Sequence, residues 1–228
     1  YLPAFPAIAA DLGASKVEVQ QSLTIYLAAF ALMILWHGAL ADALGRRRVV
    51  LYSLALFCAT SIGCALATRI EHLWLARALA GMCSGAGMVV GRAIVRDLFE
   101  GPQAQRLMST IQMLFALAPA AAPIIGGWVF GAFGWRAIFW FLAGYSALLW
   151  LVCLMRLPET LDPAHRRSLH PVKLARDYAH MYAHPALLAL VIAVSMNFAG
   201  FFLYVLSAPV FLMEHLGVSP QGFAWLFG

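Results

Sequence analysis

Charge is what this sequence has least of. Only 11% of its 228 residues are Asp, Glu, Lys or Arg, while 63% are hydrophobic; a soluble domain carries about 25% charged residues. So little charge cannot cover a water-soluble fold of this length, and lipid is left as the solvent for most of the chain. Metal-ligand spacing is missing too. Cys58, Cys64, Cys83 and Cys153 all lie in apolar runs and read as buried free thiols. The histidines show no HExxH or comparable arrangement, and His165, His170, His180 and His184 fall in one polar connector. There is no hydrolase or nucleotide motif. The apolar runs hold almost no His, Asp or Glu: His37 reads as a helix end, and Glu214 lies near an outer boundary. The sequence thus offers no catalytic residues, no metal site and no bound cofactor. An integral-membrane enzyme is the weaker alternative.

What is present is a series of apolar runs. A spanning helix needs about 20 mostly apolar residues. The runs predict a first helix ending near Ala10 and spans at about 19–37, 49–67, 73–96, 105–130, 136–156 and 185–213, with a further one starting near Ser219. Tyr1-Leu2-Pro3 opens inside one apolar segment and Phe227-Gly228 closes inside another, so the chain reads as an internal piece of a longer one. The only sizeable polar stretch, 157–184, divides it. Residues 1–156 are expected to form a transmembrane helical half whose first helix is truncated. Residues 157–184 are a connector, and 185–228 begin a second half with a seventh helix and the start of an eighth.

The formal net charge is +5. On a soluble protein this would suggest nucleic acid; here its placement matters more, and no nucleic-acid partner is expected. One set of connectors holds Arg46, Arg47, Arg48, Arg92, Arg96, Arg106, Arg156, Arg166, Arg167, Lys173 and Arg176; the other holds only Lys16, Arg69 and Arg136. That bias places the first set, including 157–184, in the cytoplasm. Trp36, Trp74, Trp128, Trp135 and Trp150 near span ends suit an aromatic belt. In the connector, Leu174, Tyr178, Met181 and Tyr182 recur at helical spacing with Lys173, Arg176 and Asp177 between them, as in an amphipathic helix on the membrane surface.

The densest charge lies between the second and third spans, in Gly38-Ala39-Leu40-Ala41-Asp42-Ala43-Leu44-Gly45-Arg46-Arg47-Arg48. Three arginines at a helix start oppose the macrodipole, and topology alone explains neither Asp42 nor the two glycines. A carboxylate among arginines predicts an ion-pair network, with Asp97 at the end of the fourth helix as a partner for Arg46. This stretch resembles the G-x-L-a-D-r-x-G-R-K/R loop signature of the major facilitator superfamily, departing from it at Ala43. The resemblance implies an all-α membrane protein of two six-helix halves with a substrate site between them. It also implies that Gly38, Asp42, Gly45, Arg46 and Asp97 form a conformational latch.

Two further motifs resemble that family. Arg77 followed by Gly81 in the fourth helix is similar to a motif whose arginine is linked to proton coupling. An intramembrane Arg should in any case face the bundle interior or a water-filled cavity. Pro119, Pro123, Gly126 and Gly127 resemble the fifth-helix signature of proton antiporters, and the two prolines permit a kink. Gly81, Gly85, Gly87 and Gly91 allow close helix packing. The form Ala118-Pro119-Ala120-Ala121-Ala122-Pro123-Ile124-Ile125-Gly126-Gly127 is similar to the bicyclomycin-resistance drug-efflux branch. So are Tyr1-Leu2-Pro3-Ala4-Phe5-Pro6, Arg92-Ala93-Ile94-Val95-Arg96-Asp97, Trp135-Arg136-Ala137-Ile138-Phe139-Trp140 and Leu157-Pro158-Glu159-Thr160-Leu161. In that branch an Asp lies two residues upstream of the Tyr-Leu-Pro stretch, within the first helix, and is the candidate carboxylate for the proton or the substrate.

The resemblance implies a multi-pass transporter of a bacterial inner membrane, monomeric, exchanging protons for drug-like small molecules by rocker-switch alternating access. The proton gradient supplies the energy, and antibiotic resistance is the expected outcome. A metabolite transporter of the same fold is the alternative. Tyr26, Phe30, Gln112, Met113, Asn197 and Tyr204 are cavity candidates by position.

Overall fold

Ala and Leu, both strong helix formers, dominate the runs, so helices are the expected product. The computed structural model describes residues 4–166, 169 and 171–209. Its helices are α1 (Phe5–Leu12), α2 (Lys16–Leu44), α3 (Arg46–Ala65), α4 (Ile70–Ser84), α5 (Ala86–Leu98), α6 (Gly101–Phe133), α7 (Trp135–Arg156), α8 (Pro171–Tyr182) and α9 (Pro185–Pro209). The region near Ser219, Glu214 and Tyr1-Leu2-Pro3 lie outside the described residues. The chain divides into two units, Tyr1–Leu169 and His170–Gly228, and the polar stretch 157–184 is shared between them.

Four helical stretches among the described residues are long and apolar enough to cross a membrane: Lys16–Leu44, Arg46–Ala65, Ile70–Leu98 and Trp135–Arg156. The third combines α4 and α5, which meet at Gly85. In the most apolar window of Lys16–Leu44 only 6% of positions are buried. Leu32, Leu35, Leu56, Leu148 and Trp128 likewise face outward, which suits lipid rather than water.

Several elements differ from the sequence reading. The charged stretch is not an open loop: α2 runs to Leu44 and α3 begins at Arg46, leaving only Gly45 between them. Ala and Leu favour helix throughout Ala39–Leu44, and nothing there stops it until Gly45. His37 is consequently no helix end; it is buried within α2. Helix α6 runs unbroken from Gly101 to Phe133, so its prolines do not divide it. Trp135 is a core residue rather than part of a belt, packed edge-on against Phe139 at a centroid distance of 6.0 Å.

In the first unit α2 packs on α4, and α3 on α7 and α4. One apolar cluster gathers Ile8, Val19, Cys64, Leu73, Trp135 and Phe139 at the end remote from the arginines. There Ser15 and Glu18 form a reciprocal capping box on α2, with Ser15 N donating to Glu18 Oε2 at 2.7 Å. Asp11 accepts from Trp135 Nε1 at 3.1 Å and from Arg136 Nη1, while Arg136 Nη2 donates to Ala67 O at 3.0 Å. These bonds tie the ends of α1, α3 and α7 together. A second, smaller cluster, Ala41, Val49, Ala86 and Val90, lies toward the arginine-rich end.

In the second unit, Ala175–Tyr182 and Pro185–Gly200 meet at 91°. If α9 crosses the bilayer, α8 lies along its surface, as an amphipathic helix requires.

Candidate functional site

The arginine-rich end of the first unit holds a network built from four segments. Helix α2 closes with Gly45 N–H donating to Ala41 O at 3.1 Å. Gly45 then adopts φ 97°, ψ 149°, a conformation essentially confined to glycine. That turn lets α3 start at once and aims Arg46 back at α2. Arg46 Nη1 donates to Asp42 Oδ1 at 2.5 Å, and its Nε donates to Asp97 Oδ2, at the end of α5, at 3.1 Å. The arginine side chain is only 10% exposed, against 35% for Asp42 and 22% for Asp97. Asp97 Oδ2 also accepts from Thr160 Oγ1 at 3.1 Å.

Sequence reasoning missed the fourth segment. Glu159, just past α7, places Oε1 where it accepts from Arg46 N at 2.9 Å, Thr160 N at 3.1 Å and Leu161 N at 3.2 Å. A carboxylate thus caps the N-terminus of α3 from 113 residues away in sequence. This is the favourable sign for the helix dipole and offsets the three cations at that end. A Cβ on Gly45 would lie 2.3 Å from Glu159 Oε2, so Gly45 is required twice, for its φ and for this approach. The visible signal was Leu157-Pro158-Glu159-Thr160-Leu161 on the arginine-rich side, read only as a resemblance.

Arg47 Nη2 donates to Leu154 O on α7 at 2.8 Å, and Arg48 is exposed. Arg46, Arg47 and Arg48 therefore stand near three carboxylates, Asp42, Asp97 and Glu159, of which Arg46 pairs with the first two. The structure thus brings together Asp42, Gly45, Arg46 and Asp97. Gly38 is different: a Cβ there would meet Val89 Cγ1 at an ordinary 3.8 Å, so no steric demand for glycine exists at that position.

Arg77 lies in α4, 8% exposed, facing the bundle interior. Its guanidinium carbon sits 4.0 Å from the centroid of the Tyr26 ring on α2, within cation–π range. A Cβ on Gly81, one turn along α4, would lie 2.2 Å from the Tyr26 carbonyl oxygen. The arginine and the glycine four residues later therefore engage the same residue, one by stacking and one by letting the backbones approach. Gly85 packs on His37, with a hypothetical Cβ 3.3 Å from its Nδ1, whereas Gly87 and Gly91 face open space.

Tyr26 stacks with Phe30 at 6.5 Å between centroids. Gln112 Oε1 accepts from Arg92 Nη2 at 3.0 Å. Met113 and, in the second unit, Asn197 are exposed. The side chains of Tyr204, Pro119 and Pro123 lie outside the described residues. Gly127 faces open space.

With this geometry in place, comparison with known proteins is informative. The chain matches the profile of the Major Facilitator Superfamily over residues 1–228. It is 37% identical to the uncharacterized MFS-type transporter YdgK of Bacillus subtilis, covering 100% of this chain and 57% of that protein. It is 30% identical to a bicyclomycin resistance protein homolog of Haemophilus influenzae (100% and 57%) and 30% identical to the multidrug resistance protein MdtL of Escherichia coli (98% and 56%). The chain therefore spans a little over half the length of these relatives. A crystal structure of the peptide transporter POT superposes with a TM-score of 0.61 at 24% identity, covering 81% of this chain and 39% of that one; this likeness concerns the fold.

Proposed function

Because the chain belongs to the major facilitator superfamily, we propose that it forms part of a proton-driven exporter of drug-like small molecules in a bacterial inner membrane. The arginine-rich end faces the cytoplasm. Two relatives named for resistance to bicyclomycin and to multiple drugs support the substrate class. The observation that carries the reading is the buried Arg46 network. It joins α2, α3, α5 and the segment after α7 into one rigid end.

Such an end suits a latch. Arg46 occupies Asp42 Oδ1, while Oδ2 keeps its capacity to accept donors among the described residues. A donor group of the opposing half can dock there when the cytoplasmic side closes and leave when it opens. The halves then rock about a central cavity, and each inward proton contributes about 2.3 kcal/mol per 100 mV of membrane potential. Arg77, buried against Tyr26, is placed to sense charge in the bundle interior and is assigned to proton coupling. The test is dye efflux from energised cells expressing the full-length parent, with and without a protonophore. Efflux that collapses with the protonophore is expected. Efflux indifferent to it removes proton coupling, and no efflux by well-expressed protein removes the drug-exporter assignment.

A further inference from the structure

A second polar feature lies apart from the latch, in a cleft of about 540 Å³ between α5 and α6 lined by Arg92, Gln105, Met108, Ser109 and Gln112. Gln105, Ser109 and Gln112 recur at intervals of four and three residues, so they lie on one face of α6. Arg92 meets that face from α5, with Arg96 one turn away on the same side.

The lining of the cleft holds one cation and no carboxylate. Arg92 has five N–H donors, and among the described residues one is engaged, by Gln112 Oε1 at 3.0 Å. That bond uses the amide oxygen of Gln112 and leaves its NH2 group to donate; Gln105 and Ser109 add further donors. Helix α6 contains no Asp or Glu. Asp97 is committed to Arg46 and Thr160, and among the described residues neither Arg92 nor Arg96 forms an ion pair with it or with Glu100. Two like charges one turn apart are unfavourable without a counter-ion.

We propose that this cleft binds the carboxylate of a small organic acid, with Arg92 as its two-pronged anchor and Gln105, Ser109 and the Gln112 amide as supporting donors. The proposal deepens the export reading and rests on it only in making the bound acid cargo.

The test uses the purified full-length parent in nanodiscs of zwitterionic phosphatidylcholine. The probes are a boron-dipyrromethene dye bearing a carboxylic acid and the methyl ester of the same dye. Binding is read by fluorescence polarisation. The acid is expected to bind about tenfold more tightly than the ester, the scale of one charge-assisted pair. Arg92→Gln should erase that preference. Ser109→Asp, which puts a competing carboxylate in the cleft, should erase it as well. Equal binding of acid and ester, or a preference that survives both variants in folded protein, overturns the proposal. So does loss of the preference when phosphatidylglycerol is added, which would assign the site to lipid headgroups. Acid-selective binding without protonophore-sensitive efflux leaves this proposal standing and removes the export reading instead.

Discussion

Removing the Glu159 carboxylate is the sharpest perturbation of the network. Its Oε1 caps α3 through Arg46 N at 2.9 Å and closes its own turn through Thr160 N and Leu161 N. Losing an N-cap costs about 1 kcal/mol, and losing an anion at a helix N-terminus costs about 0.3–1 kcal/mol more. Glu159→Ala should therefore destabilise the full-length parent by roughly 1.5–2 kcal/mol. Glu159→Gln keeps an acceptor and should lose only the smaller charge contribution. Gly45→Ala should cost more than either. Its φ of 97° adds about 1–3 kcal/mol of strain, and its Cβ, 2.3 Å from Glu159 Oε2, displaces the cap as well. The two changes destroy one contact, so they must be non-additive. The double variant should fall short of the sum of the singles by about the value of the cap, roughly 1–2 kcal/mol. Mixed-micelle unfolding on all four variants reads these differences. Additive effects, or Glu159→Ala unfolding like wild type, would refute the assignment of Glu159 as the α3 cap.

Further outcomes follow from the same geometry. Gly81→Ala drives a Cβ to 2.2 Å from the Tyr26 carbonyl; α2 and α4 must part, and a loss of about 1–3 kcal/mol is expected. Gly87→Ala and Gly91→Ala meet open space and should be neutral or stabilising by up to about 1 kcal/mol, so thermal unfolding of the three variants separates packing glycines from permissive ones. Arg46→Ala strands Asp97 and Asp42 and should cost about 3 kcal/mol, the low end for a broken buried pair because Asp42 is partly exposed; expression level and unfolding check it. Spin labels placed singly along Ala175–Tyr182 should show depth in the bilayer varying with a period of about 3.6 residues; uniform exposure to water would remove α8 from the surface.

Much of this architecture is legible in the sequence because lipid imposes strong patterns. Apolar run length locates the four stretches long and apolar enough to cross a membrane. Asp42 and Arg46 stand one helical turn apart, so their pairing follows from local spacing. Asp97 needed only the placement of the fourth helix end. Glu159 was not legible, because nothing local says that a carboxylate 113 residues away returns to cap α3. Gly81 was legible as a packing residue but not its partner, since Tyr26 offers a backbone carbonyl, which every residue has. The pairing of Arg92 with Gln112 depends on how α5 faces α6, and that facing is a product of tertiary packing. The extent of α2 was underestimated because charge was read as loop, although Asp42 and its neighbours fit comfortably in a helix.

The central claim is that the Asp42–Arg46–Asp97–Glu159 network gates a proton-driven transport cycle. The most direct measurement is dye transport by the full-length parent in proteoliposomes under an imposed pH gradient, with dye binding measured on the same preparations. Transport by wild type should follow the gradient and stop when it is dissipated. Asp42→Asn should slow it at least about tenfold, or 1.4 kcal/mol of the coupling that a latch supplies, while binding stays unchanged. Gradient-driven transport by Asp42→Asn at the wild-type rate would contradict the account.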